Sequence, residues 1–193
     1  MNAMRIELAY VDYNNTHHPA VLTHSWSGSV SGLGPVSLAF PVNQDRSGNS
    51  GHTAVSGAGL PYVLFSGVPF RVYPRMGNME LSVDGRPARL SRRHLALTKR
   101  GRSLRIRIDG RDYRYRVLGS KRQHELSRAG ATVTMSRSDW RLPGTISGTA
   151  QGQVDGLDVA LAVVLEGVYT RNLSFSGALY SWPGRFLSRF DVI

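Results

Sequence analysis

At 193 residues, 41% hydrophobic and 19% charged, the chain has the size and composition of one folded domain and not of a disordered polyelectrolyte. The absence of cysteine excludes disulfides, thiolate zinc sites, iron–sulfur clusters and cysteine nucleophiles together. A net charge of +11 points to an anionic partner, and it is concentrated, because residues 86–122 carry +12 while the rest of the chain sums to −1.

Taken from the start, the segment MNAMRIELAYVDY lacks the basic-then-apolar layout of a secretory signal, since Glu7 and Asp12 interrupt its apolar residues. The most apolar stretch, Leu157 to Leu165, falls well short of the roughly 20 residues of a spanning helix. The expected location is therefore the cytoplasm. Residues 27–60 are rich in Gly and Ser, with SWSGSVSGLGP and NQDRSGNSGHTAVSGAG on either side of VSLAF, and read as loops around one strand. No repeat and no sharp change of composition divides the chain, so residues 1–193 read as a single domain.

From Pro61 onward, short runs rich in Val, Ile, Leu, Tyr and Phe alternate with Gly, Pro or Asp-Gly punctuation, which is the pattern of antiparallel sheet. Two hairpins can be set in register. In MELSVDGRPARL, Asp84-Gly85 suits a two-residue turn of positive φ and places Val83 opposite Arg86. In LRIRIDGRDYRYRV, a turn on Asp109-Gly110 pairs Ile108 with Arg111, Arg107 with Asp112, Ile106 with Tyr113, Arg105 with Arg114 and Leu104 with Tyr115. Leu104, Ile106, Ile108, Tyr113 and Tyr115 then share a buried face, and Arg105, Arg107, Asp112, Arg114 and Arg116 a wet one.

One helix is expected, over 156–168. Asp155 is a good N-cap, and Asp158 three residues later suits the positive end of the helix dipole. From Leu157 to Val168 nearly every position is apolar, so this helix has no solvated face and belongs inside the fold. Residues 172–193 alternate again through Leu173, Phe175 and Leu179 and read as a C-terminal extension packed on the domain. The expected class is mainly β: an antiparallel β-barrel or barrel-like sheet enclosing one hydrophobic helix near the C-terminus.

A run of antiparallel strands closed by an almost wholly apolar helix resembles the tubby-like superfamily, which includes LURP-one-related proteins and phospholipid scramblases. The segment TISGTAQGQVDGLDVALAVVLEGVY looks like the last strand, the turn and the central helix of that fold, and LRIRIDGRDYRYRV is similar in character to its basic strands. The resemblance spans residues 60–170. It implies a β-barrel wrapped around the helix and, in some members, binding of phosphoinositide or other phospholipid headgroups; it implies no catalytic residues. The residues after Arg171 depart from the pattern, in which the helix lies close to the end of the chain, and closure of the barrel is open on that account.

The candidate anion-binding residues are Arg105, Arg107, Arg114 and Arg116 on the wet hairpin face, joined by Arg100 and Arg102. Guanidinium groups gathered on one pleated face repel one another unless an anion bridges them, and they hold phosphate oxygens through charge-assisted bidentate bonds. The competing reading is that these arginines solvate an outward wall. A phospholipid headgroup or another phosphate-bearing ligand is the expected partner. Nucleic acid is the alternative on the same patch, but Tyr113 and Tyr115 fall on the opposite face, where bases cannot stack on them. The histidines, His17, His18, His24, His52, His94 and His124, show no helical ligand spacing, and neither a metal nor a cofactor is expected. No Gly-x-Ser-x-Gly elbow or P-loop ending occurs, so an enzyme whose site forms only in three dimensions is a third reading.

Overall fold

The computed structural model describes residues 4–12, 23–41, 51–68, 79–92, 103–120, 122–139 and 143–168. Both Asp-Gly hairpins form in the expected register. Val83 faces Arg86, and all five pairs from Ile108–Arg111 to Leu104–Tyr115 are present. Asp84, Gly85, Asp109 and Gly110 have φ values of 48°, 77°, 50° and 73°, the left-handed conformation that a two-residue turn of this kind requires.

Twelve strands pair in sequence order and close into one antiparallel barrel. They are β1 (Met4–Asp12), β2 (Thr23–Val30), β3 (Gly34–Pro41), β4 (Gly51–Gly57), β5 (Leu60–Val68), β6 (Glu80–Val83), β7 (Arg86–Arg92), β8 (Leu104–Ile108), β9 (Arg111–Val117), β10 (Gln123–Arg128), β11 (Ala131–Arg137) and β12 (Thr145–Gly152). Closure comes from β1 against β12, with Met4 opposite Ala150 and Leu8 opposite Ile146, so no strand edge is left unpaired.

The reading of residues 27–60 as loops around one strand is corrected: most of this stretch belongs to β2, β3 and β4. Its period-two pattern is carried inward by Trp26, Val30, Val36, Leu38 and Val55, which are buried. Ser27, Ser29, Ser37 and Ser56 stand on the outward side of the same strands. Small hydroxyl residues on a solvated sheet face look like loop composition, although the alternation is that of a strand.

The helix α1 (Gly156–Val168) occupies the expected residues. Asp155 and Asp158 cap it reciprocally: the Asp158 N–H donates to Asp155 Oδ1 at 3.2 Å and the Asp155 N–H donates to Asp158 Oδ2 at 3.0 Å. Every side chain from Asp158 to Glu166 is buried. Successive helical residues point about 100° apart, so the helix is covered all the way round, with β3–β5 on one side and β10–β11 on another. It fills the barrel. Gly156 and Gly167, three turns apart, share the face towards β3–β5. A Cβ on Gly156 would lie 2.4 Å from the Gly59 carbonyl oxygen, and one on Gly167 would lie 3.1 Å from Leu38.

Because consecutive strands alternate in direction, the short connections 31–33, 58–59, 84–85, 109–110 and 129–130 all fall at one end of the barrel. The helix enters from that end, directly after β12. The extension 172–193 lies outside the described residues.

Candidate functional site

The arginine face is the outer wall of β7–β9. Along β8 the burial alternates strictly, with Leu104, Ile106 and Ile108 inside and Arg105 and Arg107 exposed. In β9, Tyr113 and Tyr115 are buried while Asp112, Arg114 and Arg116 point outward. Arg105 and Arg114 are direct cross-strand partners. Three positions beyond the turn pair Ile108–Arg111, they form a non-hydrogen-bonded pair, in which opposing side chains come closest, at about 4.5–5.5 Å between Cβ atoms. Among the described residues no carboxylate lies within ion-pair distance of either one.

Arg107 and Arg116 on this face are committed. Arg107 donates to both oxygens of Asp112, at 2.7 and 2.9 Å. These bonds hold the Asp112 carboxyl below the usual carboxylate range against a small desolvation, with the charges of Arg107 and Arg105 adding to the effect. Arg116 donates to Glu125 on β10 at 2.8 Å. Sequence reasoning missed Arg89 on β7, which faces Arg107 across the neighbouring ladder, is exposed, and has no acidic partner among the described residues. On this wall, among the described residues, the uncommitted cations are thus Arg89, Arg105 and Arg114. Arg100 and Arg102 lie outside the described residues, as do Arg93, Lys99 and Lys121.

A second set of charges faces inward. Arg111 is on the inner side of β9, where it bonds Asp155 at 2.5 Å; hydrogen bonds with Tyr113 and Asp155 hold its guanidinium protonated well beyond its ordinary range. Arg128 on β10 donates from Nε and Nη2 to the two oxygens of Asp158, at 2.7 and 2.8 Å. The Tyr113 hydroxyl donates to Asp158 at 3.0 Å, and burial pushes its own pKa up to about 12. Eight residues further along the helix, Glu166 repeats the arrangement. It accepts from the Tyr115 hydroxyl at 2.7 Å, has His124 Nδ1 at 3.0 and 3.2 Å from its two oxygens and Arg137 at 3.9 Å. The Tyr115 and His124 rings stack at 5.6 Å.

Each helix acid is therefore gripped by a tyrosine of β9 and a basic residue of β10. Their spacing of eight residues on one helix face, with tyrosines two apart on one strand, is the sequence signal that could have found them. The two helix acids, their tyrosines and His124 are sealed. The dent lined by Tyr113, Leu126, Arg128, Ala131, Thr132, Val133 and Asp158 leaves no room for a water molecule, and Glu166 and His124 are fully buried. His24 lies apart from them, at 2.8 Å from the Tyr10 hydroxyl. Trp26 is buried and donates from Nε1 to the Pro143 carbonyl at 2.7 Å; Trp140 and Trp182 fall outside the described residues.

Among the described residues no group of three His, Asp or Glu side chains could hold a metal ion, and no helix is long and apolar enough to cross a membrane. Comparison with protein-family models, curated proteins and solved structures gives no match.

Proposed function

We propose that this protein is a non-catalytic binding module for anionic, phosphate-bearing ligands, with the outer wall of β7–β9 as its site. The observation that carries the reading is Arg105 directly across from Arg114, with no carboxylate within ion-pair distance of either among the described residues and only the longer-range charge of Asp112 acting on Arg105. Like charges opposite one another destabilise a sheet, and an oxyanion bridging two guanidinium groups removes that repulsion while forming charge-assisted bonds. Arg107, fixed by Asp112, and Arg116, fixed by Glu125, give the site rigid flanks more than free charge.

The barrel around an apolar helix is the architecture that the tubby-like resemblance implies, and that resemblance brings a phospholipid headgroup as the ligand. Nucleic acid on the same wall has less support, because Tyr113 and Tyr115 are buried against the helix and the described residues of this wall offer no aromatic platform for bases. A cytoplasmic location fits a protein that meets anionic lipid at the inner membrane leaflet.

Flotation with anionic and zwitterionic vesicles tests the proposal. The wild-type protein is expected to float with anionic vesicles only, and Arg105→Ala/Arg107→Ala/Arg114→Ala to stay behind with an unchanged circular dichroism spectrum. Equal flotation of the folded triple variant would refute it.

A further inference from the structure

We infer that an uncharged, largely apolar row across the outside of β1–β7 is the docking site for this chain's own residues 172–193. The row follows successive cross-strand partners: Val11 faces Ser25, Ser25 faces Ala39, Ala39 faces Ala54, Ala54 faces Leu64, Leu64 faces Ser82 and Ser82 faces Pro87. These residues point outward, because chain neighbours such as Trp26, Leu38, Val55 and Val63 face the core. The exposed large apolar residues among the described residues are Val11, in this row, and Tyr62, two residues before Leu64 on the same side of β5. Towards the short-turn end the next row on the same strands is different: Ala9 faces Ser27, Ser27 faces Ser37 and Ser37 faces Ser56, and hydroxyl groups bond water without any cover.

Size and charge select the occupant. Strand spacing and side-chain repeat make the row about 29 Å by about 7 Å, roughly 200 Å², far below the roughly 800 Å² per partner of a stable interface between two folded proteins. One extended segment fits it. Residues 172–193 supply large apolar side chains, Leu173, Phe175, Leu179, Tyr180, Trp182 and Phe186 among them, while Arg185 and Arg189 against Asp191 leave no acidic excess for the arginine wall to attract. Their point of departure is also close. A Cβ on Gly167, near the end of α1, would lie 3.1 Å from Leu38 and 3.3 Å from Thr53, the residues that precede Ala39 and Ala54 in the chain. The helix therefore ends inside the wall at the height of the row outside it. From Val168 over the rim at Pro41 and down to Ala39 is roughly 25 Å, counting the climb, the descent and the thickness of the wall, and about seven extended residues span it. Phe175 is thus the first aromatic side chain of 172–193 to reach the row, where large groups meet the small Ala39 and Ala54.

The chain has no cysteine, so an introduced pair reports on one contact. In the full-length protein, Ala54→Cys is combined in turn with Ser174→Cys, Ala178→Cys and Ser181→Cys, and the same three are combined with Ser91→Cys, which stands on the arginine wall opposite Arg105. In a glutathione buffer at least one of the three is expected to close an intramolecular disulfide with Ala54→Cys in about ten-fold higher yield than with Ser91→Cys, since the bond needs Cβ atoms about 3.5–4.5 Å apart. Chymotrypsin gives a second readout. Cleavage after Phe186 should be about ten-fold faster in Ala54→Arg, which places a charge in the row, and unchanged in Ser91→Arg. Equal disulfide yields on the two walls, or equal cleavage rates in the wild type and Ala54→Arg, would overturn the proposal. Disulfides that join two chains instead of closing within one would overturn it in favour of the same segment from a second copy.

Discussion

Inside the barrel the Tyr115 hydroxyl donates a 2.7 Å hydrogen bond to Glu166, a carboxylate with no access to solvent. A side-chain hydrogen bond contributes about 0.5–1.5 kcal/mol, and a buried acceptor left short of a donor costs about 1–3 kcal/mol. Tyr115→Phe is therefore expected to cost about 2 kcal/mol in urea unfolding. Tyr113→Phe should cost less, because Asp158 keeps both bonds from the Arg128 guanidinium and that of the Asp155 N–H, whereas Glu166 keeps only its contact with His124 and the more distant Arg137. No loss at Tyr115 would show that this bond adds nothing to the apolar packing of the helix, and a loss at Tyr113 equal to or larger than that at Tyr115 would overturn the stated order.

The start of the helix carries an acid-sensitive element. Burial alone would raise the pKa of Asp155, but the hydrogen bond from Arg111, the Asp158 N–H and the charges of Arg111 and Arg128 outweigh it and leave the folded-state pKa below the ordinary 3.8. A depressed carboxylate stabilises the fold above its unfolded pKa, and that contribution disappears as pH falls through the folded one. Melting temperatures between about pH 6 and pH 2 should thus fall steeply below about pH 4 in the wild type and more gently in Asp155→Asn. Parallel curves for the two proteins would exclude Asp155 as a source of the acid limb.

At the β8–β9 turn, Gly110 has a φ of 73°, and a Cβ added there meets nothing within 4 Å. The cost of Gly110→Ala is then conformational only, about 1–2 kcal/mol for an L-residue in the left-handed region. Gly110→Asn, which tolerates this conformation better, should recover part of it. Denaturant midpoints of the two variants measure the difference, and an Asn variant no better than Ala would contradict the assigned turn.

How much of this was legible in the sequence depends on how local each cause is. Both hairpin registers follow from Asp-Gly pairs beside strict alternation, and the helix bounds follow from Asp155 and Asp158, all within a few residues of what they determine. Strands β2–β4 were masked because Ser27, Ser29, Ser37 and Ser56 fill the positions where charged side chains would have displayed the alternation. Arg111 and Arg128 face inward against the usual rule for charge, since their partners Asp155 and Asp158 arrive 44 and 30 residues later in the chain. Arg89 was missed for a similar reason: its place beside Arg107 depends on the β7–β8 register, which no tight turn fixes. The alternation placed Arg105, Arg107, Arg114 and Arg116 correctly on the wet face, but only the side-chain partners separate the free cations from those bound to Asp112 and Glu125.

Arg114 links the stability of this wall to its use. Opposite Arg105 it costs the sheet, whereas opposite charges at such a pair contribute roughly 0.2–1 kcal/mol. Arg114→Glu should accordingly make the barrel more stable by up to about 1 kcal/mol relative to the wild type while weakening its binding to anionic vesicles. Sites selected for binding commonly carry local repulsion of this kind, which the ligand relieves. Thermal melts at low salt and at about 1 M salt distinguish this origin from a change in packing, because exposed charges are screened at high ionic strength. A stability gain that persists undiminished in high salt would mean that Arg105 and Arg114 do not repel each other in the free protein, and the reason for an anion to bridge them would be lost.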